Sequence, residues 1–169
     1  SYIPTPYSIY TDIRKLEPGC LLSCSLSKPE PTIWAYWSAI NSVKKGVNFP
    51  FLGTAVEAVD ELERLTKDSI KQQMVSDVDI GTFLSGGVDS SLITALAGNL
   101  KSKNLKTFTL GSDNYNFDES IKAKNISEHL GFKNLSYKPS KFDILDTITK
   151  LPKIYGEPFG DSSQIPTIL

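Results

Sequence analysis

Several residue types that mark particular functions are scarce in this chain. Its 169 residues include two cysteines, Cys20 and Cys24, and one histidine, His129. Zinc sites and disulfide frameworks need clusters of such residues, and none accompanies these cysteines, so we interpret both as structural. His129 falls in the last turn of a predicted helix, where the helix dipole favours a cation. We interpret it as structural as well.

The sequence also lacks an excess of either charge and any long apolar run. The formal net charge is −1, whereas nucleic-acid-binding domains are usually strongly basic, so we expect no nucleic-acid partner. No apolar run approaches the roughly 20 residues that span a membrane, and the first residues lack the pattern of a signal peptide. With 40% hydrophobic residues, the composition is typical of a cytoplasmic enzyme without a membrane partner.

What the sequence does contain is an informative loop between a predicted strand and a predicted helix. The apolar run from Val78 to Leu84 indicates a buried strand, and residues 92–97 indicate a helix. Between them lies Ser85-Gly86-Gly87-Val88-Asp89-Ser90-Ser91. Two adjacent glycines allow a tight turn with positive φ and leave backbone N–H groups accessible. Together with the helix dipole and the serine hydroxyls, this loop predicts a site for a phosphate chain.

Asp89 narrows the type of phosphate site that we predict. A carboxylate repels phosphate unless a cation lies between them, so Asp89 indicates a hard metal ion, Mg²⁺, that arrives with a nucleotide. The loop has neither the spacing nor the lysine of a Walker loop, which argues against a kinase-like site. The structural alternative is a plain serine- and glycine-rich turn. The order of strand, double glycine, carboxylate, hydroxyls and helix favours the phosphate site over that turn.

A second predicted strand, Leu105 to Leu110, completes a βαβ unit around the loop. Its two strands are expected to be parallel and its crossover right-handed. Ligands of such sheets bind beyond the carboxyl ends of the strands, so Leu110 and Gly111 are candidates for the adenine side of a pocket. An ordinary strand end is an equally good explanation for Leu110. The sequence therefore predicts an α/β fold with a parallel sheet and flanking helices.

Before the loop, we predict two strands and a long helix. The strands are Cys20–Leu26 and a short one around Ile33–Trp37, and the polar stretch that follows shows no period, so we interpret it as a linker. Thr54 and Glu57 have the spacing of a capping box at a helix start. The residues that recur at helical spacing after it are Val56, Val59, Leu62, Leu65, Ile70 and Met74.

After the βαβ unit, start and stop signals predict three more elements. A helix that begins near Asp118 ends at Gly131, a strand covers Lys133–Tyr137, and a further helix stops at Pro152. Beyond it, Glu157 and Asp161 are two carboxylates near a helix start that Ser162 and Ser163 are expected to cap.

Asp161 allows two explanations. A capping role is the structural one. A bound Mg²⁺ triphosphate, however, usually has one or two protein carboxylates as ligands, and Asp161 is then the second candidate beside Asp89.

Several stretches resemble a known family. The loop resembles the Ser-Gly-Gly-x-Asp-Ser loop of the ATP pyrophosphatases, which GMP and NAD synthetases share. With the other stretches, the resemblance is to glutamine-dependent asparagine synthetases and covers nearly the whole chain. The stretches are Tyr2–Tyr10, Leu16–Gly19, Tyr36–Trp37, Ser76–Val78, Phe83–Ser91 and Glu157–Ser163.

This resemblance implies a two-step reaction in an adenine nucleotide α-hydrolase-like fold. ATP adenylates the side-chain carboxylate of aspartate, and ammonia from a glutaminase domain then displaces AMP to give asparagine, with pyrophosphate as the other product. Mg²⁺ is implied at Asp89 and Asp161, adenine at Leu110 and Gly111, and Glu157 as a catalytic residue near the reacting centre. The residues implied to hold ATP and pyrophosphate are Leu84, Ser85, Gly86, Gly87, Val88, Asp89 and Ser90.

The resemblance also implies that the chain is an internal fragment. It predicts the end of a glutamine amidotransferase domain over 1–37, a linker over 38–53 and a truncated synthetase domain over 54–169. The chain begins with Ser1, lacks the family's N-terminal cysteine nucleophile, and ends before the family's Ser-Gly-x-Gly-x-Asp-Glu turn. We therefore expect this piece to be inactive by itself.

Two alternatives stay open from the sequence. One is a related amidotransferase that acts on another carboxylate, of the sugar-acid or β-lactam type. The other is a non-catalytic nucleotide-binding module.

Overall fold

The computed structural model describes residues 2–101, 105–112, 118–161 and 163–169. The chain forms two compact units. The first consists of Ser1–Leu52 and Thr149–Gln164, and the second of Gly53–Ile148 and Ile165–Leu169. Within the described ranges, no helix combines the length and the apolar character needed to cross a membrane.

The first unit contains a β-hairpin and a helix. Strands β1 (Cys20–Ser25) and β2 (Lys28–Ala35) pair antiparallel. Both predicted strands are present, but the second begins at Lys28 instead of Ile33. Helix α1 (Ala39–Asn48) follows, and the Ser38 side chain caps it by accepting a hydrogen bond from the Asn41 N–H. The prediction that this stretch has no regular period was wrong, because Ile40, Val43 and Val47 recur at helical spacing between polar residues.

The second unit is built on a three-stranded parallel sheet of order β3-β4-β5. The strands are β3 (Gly81–Phe83), β4 (Lys106–Leu110) and β5 (Lys133–Tyr137). Helix α3 (Val88–Lys101) connects β3 to β4, and α4 (Ser120–Leu130) precedes β5. The predicted α/β fold, the βαβ unit and the third strand are confirmed.

The first strand of this sheet is shorter and less buried than predicted. Only Gly81, Thr82 and Phe83 pair with β4, whose first residue, Lys106, lies opposite Gly81. The residues from Val78 to Ile80 therefore have no strand partner among the described residues. Phe83 is 71% exposed, which contradicts the prediction of a buried strand.

The two faces of the sheet differ in burial. Both crossovers run in the same direction along the sheet, and right-handed connections then place α3 and α4 on one face. Thr107 on that face is buried, and the Thr94 hydroxyl of α3 donates to the Thr82 hydroxyl at 3.0 Å. Phe83 and Phe108 point to the opposite face, where both are exposed. The core therefore lies between the sheet and the helices.

Helix α2 (Ala55–Gln73) begins at the predicted capping box, in which Thr54 and Glu57 exchange hydrogen bonds. Its apolar stripe is only partly buried. Ile70 joins the core cluster with Leu96 of α3, and Met74 packs against that cluster. The stripe residues of the first turns are exposed: Val56, Val59, Leu62 and Leu65.

The later helices confirm one stop signal and contradict another. Helix α4 ends at Gly131 in the left-handed conformation, as predicted. Helix α5 (Lys141–Ile154) does not stop at Pro152 but includes it. A proline removes one backbone donor, but the next bonds persist, since the Tyr155 N–H donates to the Leu151 carbonyl at 2.9 Å. A short helix, α6 (Gln164–Ile168), ends the chain.

The packing of α3 against the aromatic ring of Phe132 makes Gly98 a sensitive position. A Cβ at Gly98 would lie 1.9 Å from the ring, so we expect Gly98→Ala to lower the free energy of unfolding by about 1–3 kcal/mol. Urea unfolding measures this loss. Asn99→Ala, at an exposed position of the same helix, is the control and should change stability little. Adding Phe132→Leu to Gly98→Ala should restore part of the loss, and no restoration would contradict the steric explanation.

Candidate functional site

The loop after β3 starts from a fixed point in the sheet. Leu84 is 1% exposed, its N–H donates to the Phe108 carbonyl at 2.8 Å, and its own carbonyl accepts from the Thr109 hydroxyl at 2.8 Å. Both backbone groups of Leu84 are therefore engaged with β4. This anchor places Ser85 and the two glycines at the carboxyl end of the sheet.

The two glycines of the loop have different roles. Gly86 has φ +81°, and a Cβ there would lie 2.7 Å from the Lys122 Cβ and 3.1 Å from the Ala123 nitrogen. A side chain is thus excluded both by the left-handed backbone and by the close approach of α4. Gly87 has neither constraint, because a Cβ there would meet only the Ser85 hydroxyl, at 3.5 Å.

The serine hydroxyls stabilise the loop itself. The hydroxyls of Ser90 and Ser91 donate to the Gly87 carbonyl at 3.2 and 2.6 Å, and the Ser85 N–H donates to the Ser90 hydroxyl at 3.3 Å. We predicted these hydroxyls as donors to a phosphate. In the structure they instead hold the turn in place, so the donors left for a ligand are backbone groups.

Three such donors lie at the start of α3. The first helical hydrogen bond runs from the Ser91 N–H to the Gly87 carbonyl at 3.1 Å, so the N–H groups of residues 88–90 are not used inside the helix. No acceptor for them exists among the described residues. Val88 is 85% exposed, and the helix dipole adds partial positive charge at this end. This arrangement is typical of an anion-binding site.

Asp89 lies in the first turn of α3 with an exposed side chain. Its carboxylate makes no hydrogen bond or ion pair with any residue that the structure describes. The described ranges also contain no group of three or more His, Cys, Asp or Glu side chains suited to a metal ion. Mg²⁺ that binds with a nucleotide needs only one or two protein carboxylates, so a free Asp89 carboxylate fits such an ion.

The residues predicted to flank adenine lie at the same edge of the sheet as the loop. Phe83 pairs with Phe108, so Ser85 and Leu110 each lie two residues beyond that pair on neighbouring strands. Gly111 follows, buried, with its N–H donating to the Tyr137 carbonyl at 2.8 Å. The structure thus brings the loop together with Leu110 and Gly111.

Asp118 is a second carboxylate near this edge of the sheet, and we predicted it only as a helix cap. Its carboxylate accepts hydrogen bonds from the N–H groups of Ser112 and Ser120, at 3.4 and 3.1 Å. Hydrogen bonds from the side chain and backbone of Ser120 hold the pKa of Asp118 below its usual value. This carboxylate is therefore committed to the local backbone, unlike that of Asp89.

Glu157 belongs to the first unit, where it has a partner that the sequence did not predict. The Lys15 ammonium donates to its carboxylate at 2.5 Å and also to the Ile3 carbonyl. The Tyr10 hydroxyl donates to the neighbouring Gly156 carbonyl at 3.3 Å. Lys15 and Glu157 are 142 residues apart, so no local sequence pattern marks the pair.

Asp161 also belongs to the first unit and performs the capping role that we considered for it. Its carboxylate accepts a hydrogen bond from the Ser163 N–H at 2.7 Å. Ser162, the other predicted cap, lies outside the described residues. Asp89 belongs to the second unit, and the pairing of Asp89 with Asp161 at a metal stays a prediction from the sequence.

Two shallow cavities lie apart from the predicted site residues. One, of about 360 Å³, is lined by α4 and β5, including Ser120, Glu128 and Ser136. The other, of about 300 Å³, lies between the end of β2 and α1, beside Trp37 and Lys45. Neither lining includes the loop, Leu110, Gly111, Glu157 or Asp161, so neither cavity coincides with the predicted site residues.

Known proteins are similar to this chain over nearly its whole length. The chain is 32% identical over 167 residues to a putative glutamine-hydrolysing asparagine synthetase 2 of Methanocaldococcus jannaschii, with 98% of this chain and 31% of that protein covered. It is 30% identical over 168 residues to glutamine-hydrolysing asparagine synthetase 1 of Bacillus subtilis, with 98% and 25% covered. This chain thus spans less than a third of the length of these relatives.

A family model gives the same result for the part of the chain that carries the site. The model described as asparagine synthase matches residues 61–169, a range that includes the parallel sheet, the loop after β3, Glu157 and Asp161. Because the matched range is more than half of the sequence, this chain belongs to the asparagine synthase family.

Proposed function

We propose that this chain carries the ATP-binding part of a ligase that converts aspartate to asparagine with ammonia derived from glutamine. The proposal rests on the loop at Gly86 and Gly87, which lies at the edge of a parallel sheet. The backbone N–H groups of residues 88–90 and the side-chain carboxylate of Asp89 are not used by any described residue there. The names of the relatives, glutamine-hydrolysing asparagine synthetases, supply the reaction. The same proposal includes a glutaminase domain as the source of ammonia, aspartate as the substrate and the cytoplasm as the location.

The loop residues would bind the phosphate chain of ATP. The N–H groups of residues 88–90 donate to phosphate oxygens, and the absence of a Cβ at Gly87 leaves room for a ligand close to the backbone. Leu84 fixes the loop from below, and Leu110 with Gly111 forms the neighbouring wall for adenine. Binding of this kind positions the α-phosphate for attack without a covalent intermediate on the protein.

Asp89 is the residue of the loop that would hold Mg²⁺. Its carboxylate is exposed and unpaired among the described residues, and it lies next to the N–H groups that favour phosphate. A bound Mg²⁺ ion supplies charge neutralisation for the phosphate oxygens. Asp161 stays a second proposed ligand, on the sequence argument alone.

The proposed chemistry breaks the bond between the α- and β-phosphates. An oxygen of the aspartate side chain attacks the α-phosphorus, pyrophosphate leaves, and the acyl-adenylate forms. Ammonia then attacks the activated carbonyl carbon, AMP leaves with the bonding electrons, and a proton is lost from nitrogen. Glu157, whose carboxylate Lys15 holds in place, is the proposed residue of the reacting centre.

Asp89→Asn should weaken binding of Mg·ATP by about tenfold or more, because the amide removes a charged metal ligand. Isothermal titration calorimetry of both forms, with Mg²⁺ in excess, measures the change. Asp79→Asn is the matched control, since Asp79 is exposed and lies before the opposite end of β3. Equal affinity of the Asp89→Asn form and the unchanged protein would remove Asp89 from the metal site.

The two glycines provide a second test of the loop. Gly86→Ala forces a Cβ into α4 at φ +81°, so we expect a loss of about 1–2 kcal/mol in stability and a loss of Mg·ATP binding. Gly87→Ala should preserve the fold and reduce binding alone, because its Cβ occupies only the open side of the loop. Thermal unfolding and calorimetry on both variants separate these effects. Similar destabilisation by both substitutions would contradict the different roles assigned to them.

The products of the reaction distinguish adenylation from simple phosphate transfer. In the full protein that carries this chain, ATP, Mg²⁺, aspartate and ammonia should yield AMP and pyrophosphate in equal amounts, together with asparagine. Chromatography of the nucleotides with an enzymatic pyrophosphate assay gives the ratio. Stoichiometric ADP would exclude the proposed mechanism, and product formation only with a different carboxylate would change the substrate.

A further inference from the structure

Lys122 is a cationic residue beside the loop to which no role has been assigned. It is the third residue of α4, and its Cβ would lie 2.7 Å from a Cβ built on Gly86. Its carbonyl carbon would lie 3.3 Å from the same point. The Lys122 side chain therefore leaves its helix in contact with the turn that forms the candidate phosphate site.

The charge of Lys122 is not used within the described part of the protein. Its side chain is exposed, and its ammonium forms neither a hydrogen bond nor an ion pair with a described residue. Lys124, two residues later, pairs with Glu128 at 3.8 Å. Asp89, the acidic residue of the loop, also has no partner among the described residues. Because neither side chain is paired with a described residue, both charges are available to a ligand.

Lysine is suited to phosphate because its ammonium is a compact charge on a flexible four-carbon stem. Hydrogen bonds between an ammonium and a phosphate oxygen are charge-assisted and roughly twice as strong as those between neutral groups. The backbone N–H groups of residues 88–90 approach a ligand from α3, whereas Lys122 approaches the loop from α4. A phosphate chain at the loop would thus meet donors from two helices.

We propose that Lys122 is a phosphate-binding residue of this site and that its ammonium donates to the phosphate chain of the nucleotide held by the loop at residues 85–91. This inference rests on the proposed function of the loop, but it adds a contact from a different helix. It does not depend on the identity of the carboxylate substrate.

The test uses Lys122→Ala, Lys122→Gln and Lys122→Arg in the full chain, with calorimetric titration of Mg·ATP and of Mg·pyrophosphate. We expect Lys122→Ala and Lys122→Gln to weaken both ligands about tenfold, and Lys122→Arg to stay within a few-fold of the unchanged protein. Binding should also depend less on salt in the two neutral variants. Lys122→Gln keeps most of the stem, so it preserves the packing against Gly86 if Lys122→Ala disturbs the fold.

Lys124→Ala is the matched control, since it removes the same charge from the same helix at a position that lines the cavity beside β5. Unchanged affinity in Lys122→Gln, or an equal loss in Lys124→Ala, would overturn the inference while the loop site remains. If the unchanged protein binds neither Mg·ATP nor Mg·pyrophosphate, the proposed function fails and this inference fails with it. A drop in affinity confined to the Lys122 variants supports the contact.

Discussion

The candidate site depends on one close approach, that of α4 to the backbone of Gly86. The space between them admits no Cβ, and the backbone at that residue is left-handed. Glycine satisfies both constraints, because it has no Cβ and adopts positive φ readily. Once the turn is fixed there, the hydroxyls of Ser90 and Ser91 can both reach the Gly87 carbonyl. The N–H groups at the start of α3 then stay free for a ligand. The geometry of the loop thus depends on the packing of α4 against Gly86.

The parallel sheet supplies the second constraint, because polar groups hold its buried face together. The Asn134 amide donates to the Thr109 hydroxyl at 3.0 Å, and that hydroxyl donates to the Leu84 carbonyl. Within the described residues, no buried side-chain nitrogen or oxygen lacks a hydrogen-bond partner. A connected set of this kind fixes the register of β3, β4 and β5 more strictly than apolar packing alone. The fixed register is what aligns Ser85 with Leu110 at one edge of the sheet.

The sequence predicted those parts of the fold that local signals determine. The capping box at Thr54, the stop at Gly131 and the strand over Lys133–Tyr137 each depend on residues close in sequence, and the structure confirms them. Burial was predicted less well, because it depends on partners elsewhere in the chain. The same limit explains why Lys15 and Lys122 were missed, since each acquires its neighbour only through tertiary folding. The helix at Ala39–Asn48 was missed for a different reason. Its apolar residues recur at helical spacing, but the many polar residues between them led us to interpret the stretch as a linker.

Charge pairing separates the acidic residues that the sequence singled out. Glu157 has the ammonium of Lys15, and Asp161 accepts from the Ser163 N–H, so each carboxylate already has a structural partner. Asp89 has none among the described residues, although Lys122 contacts the same loop. Neither Asp89 nor Lys122 forms an ion pair with a described residue, so neither charge stabilises the fold in that way. Both charges would instead suit the proposed ligand, because a magnesium-bound polyphosphate offers a cation to the carboxylate and oxygens to the ammonium.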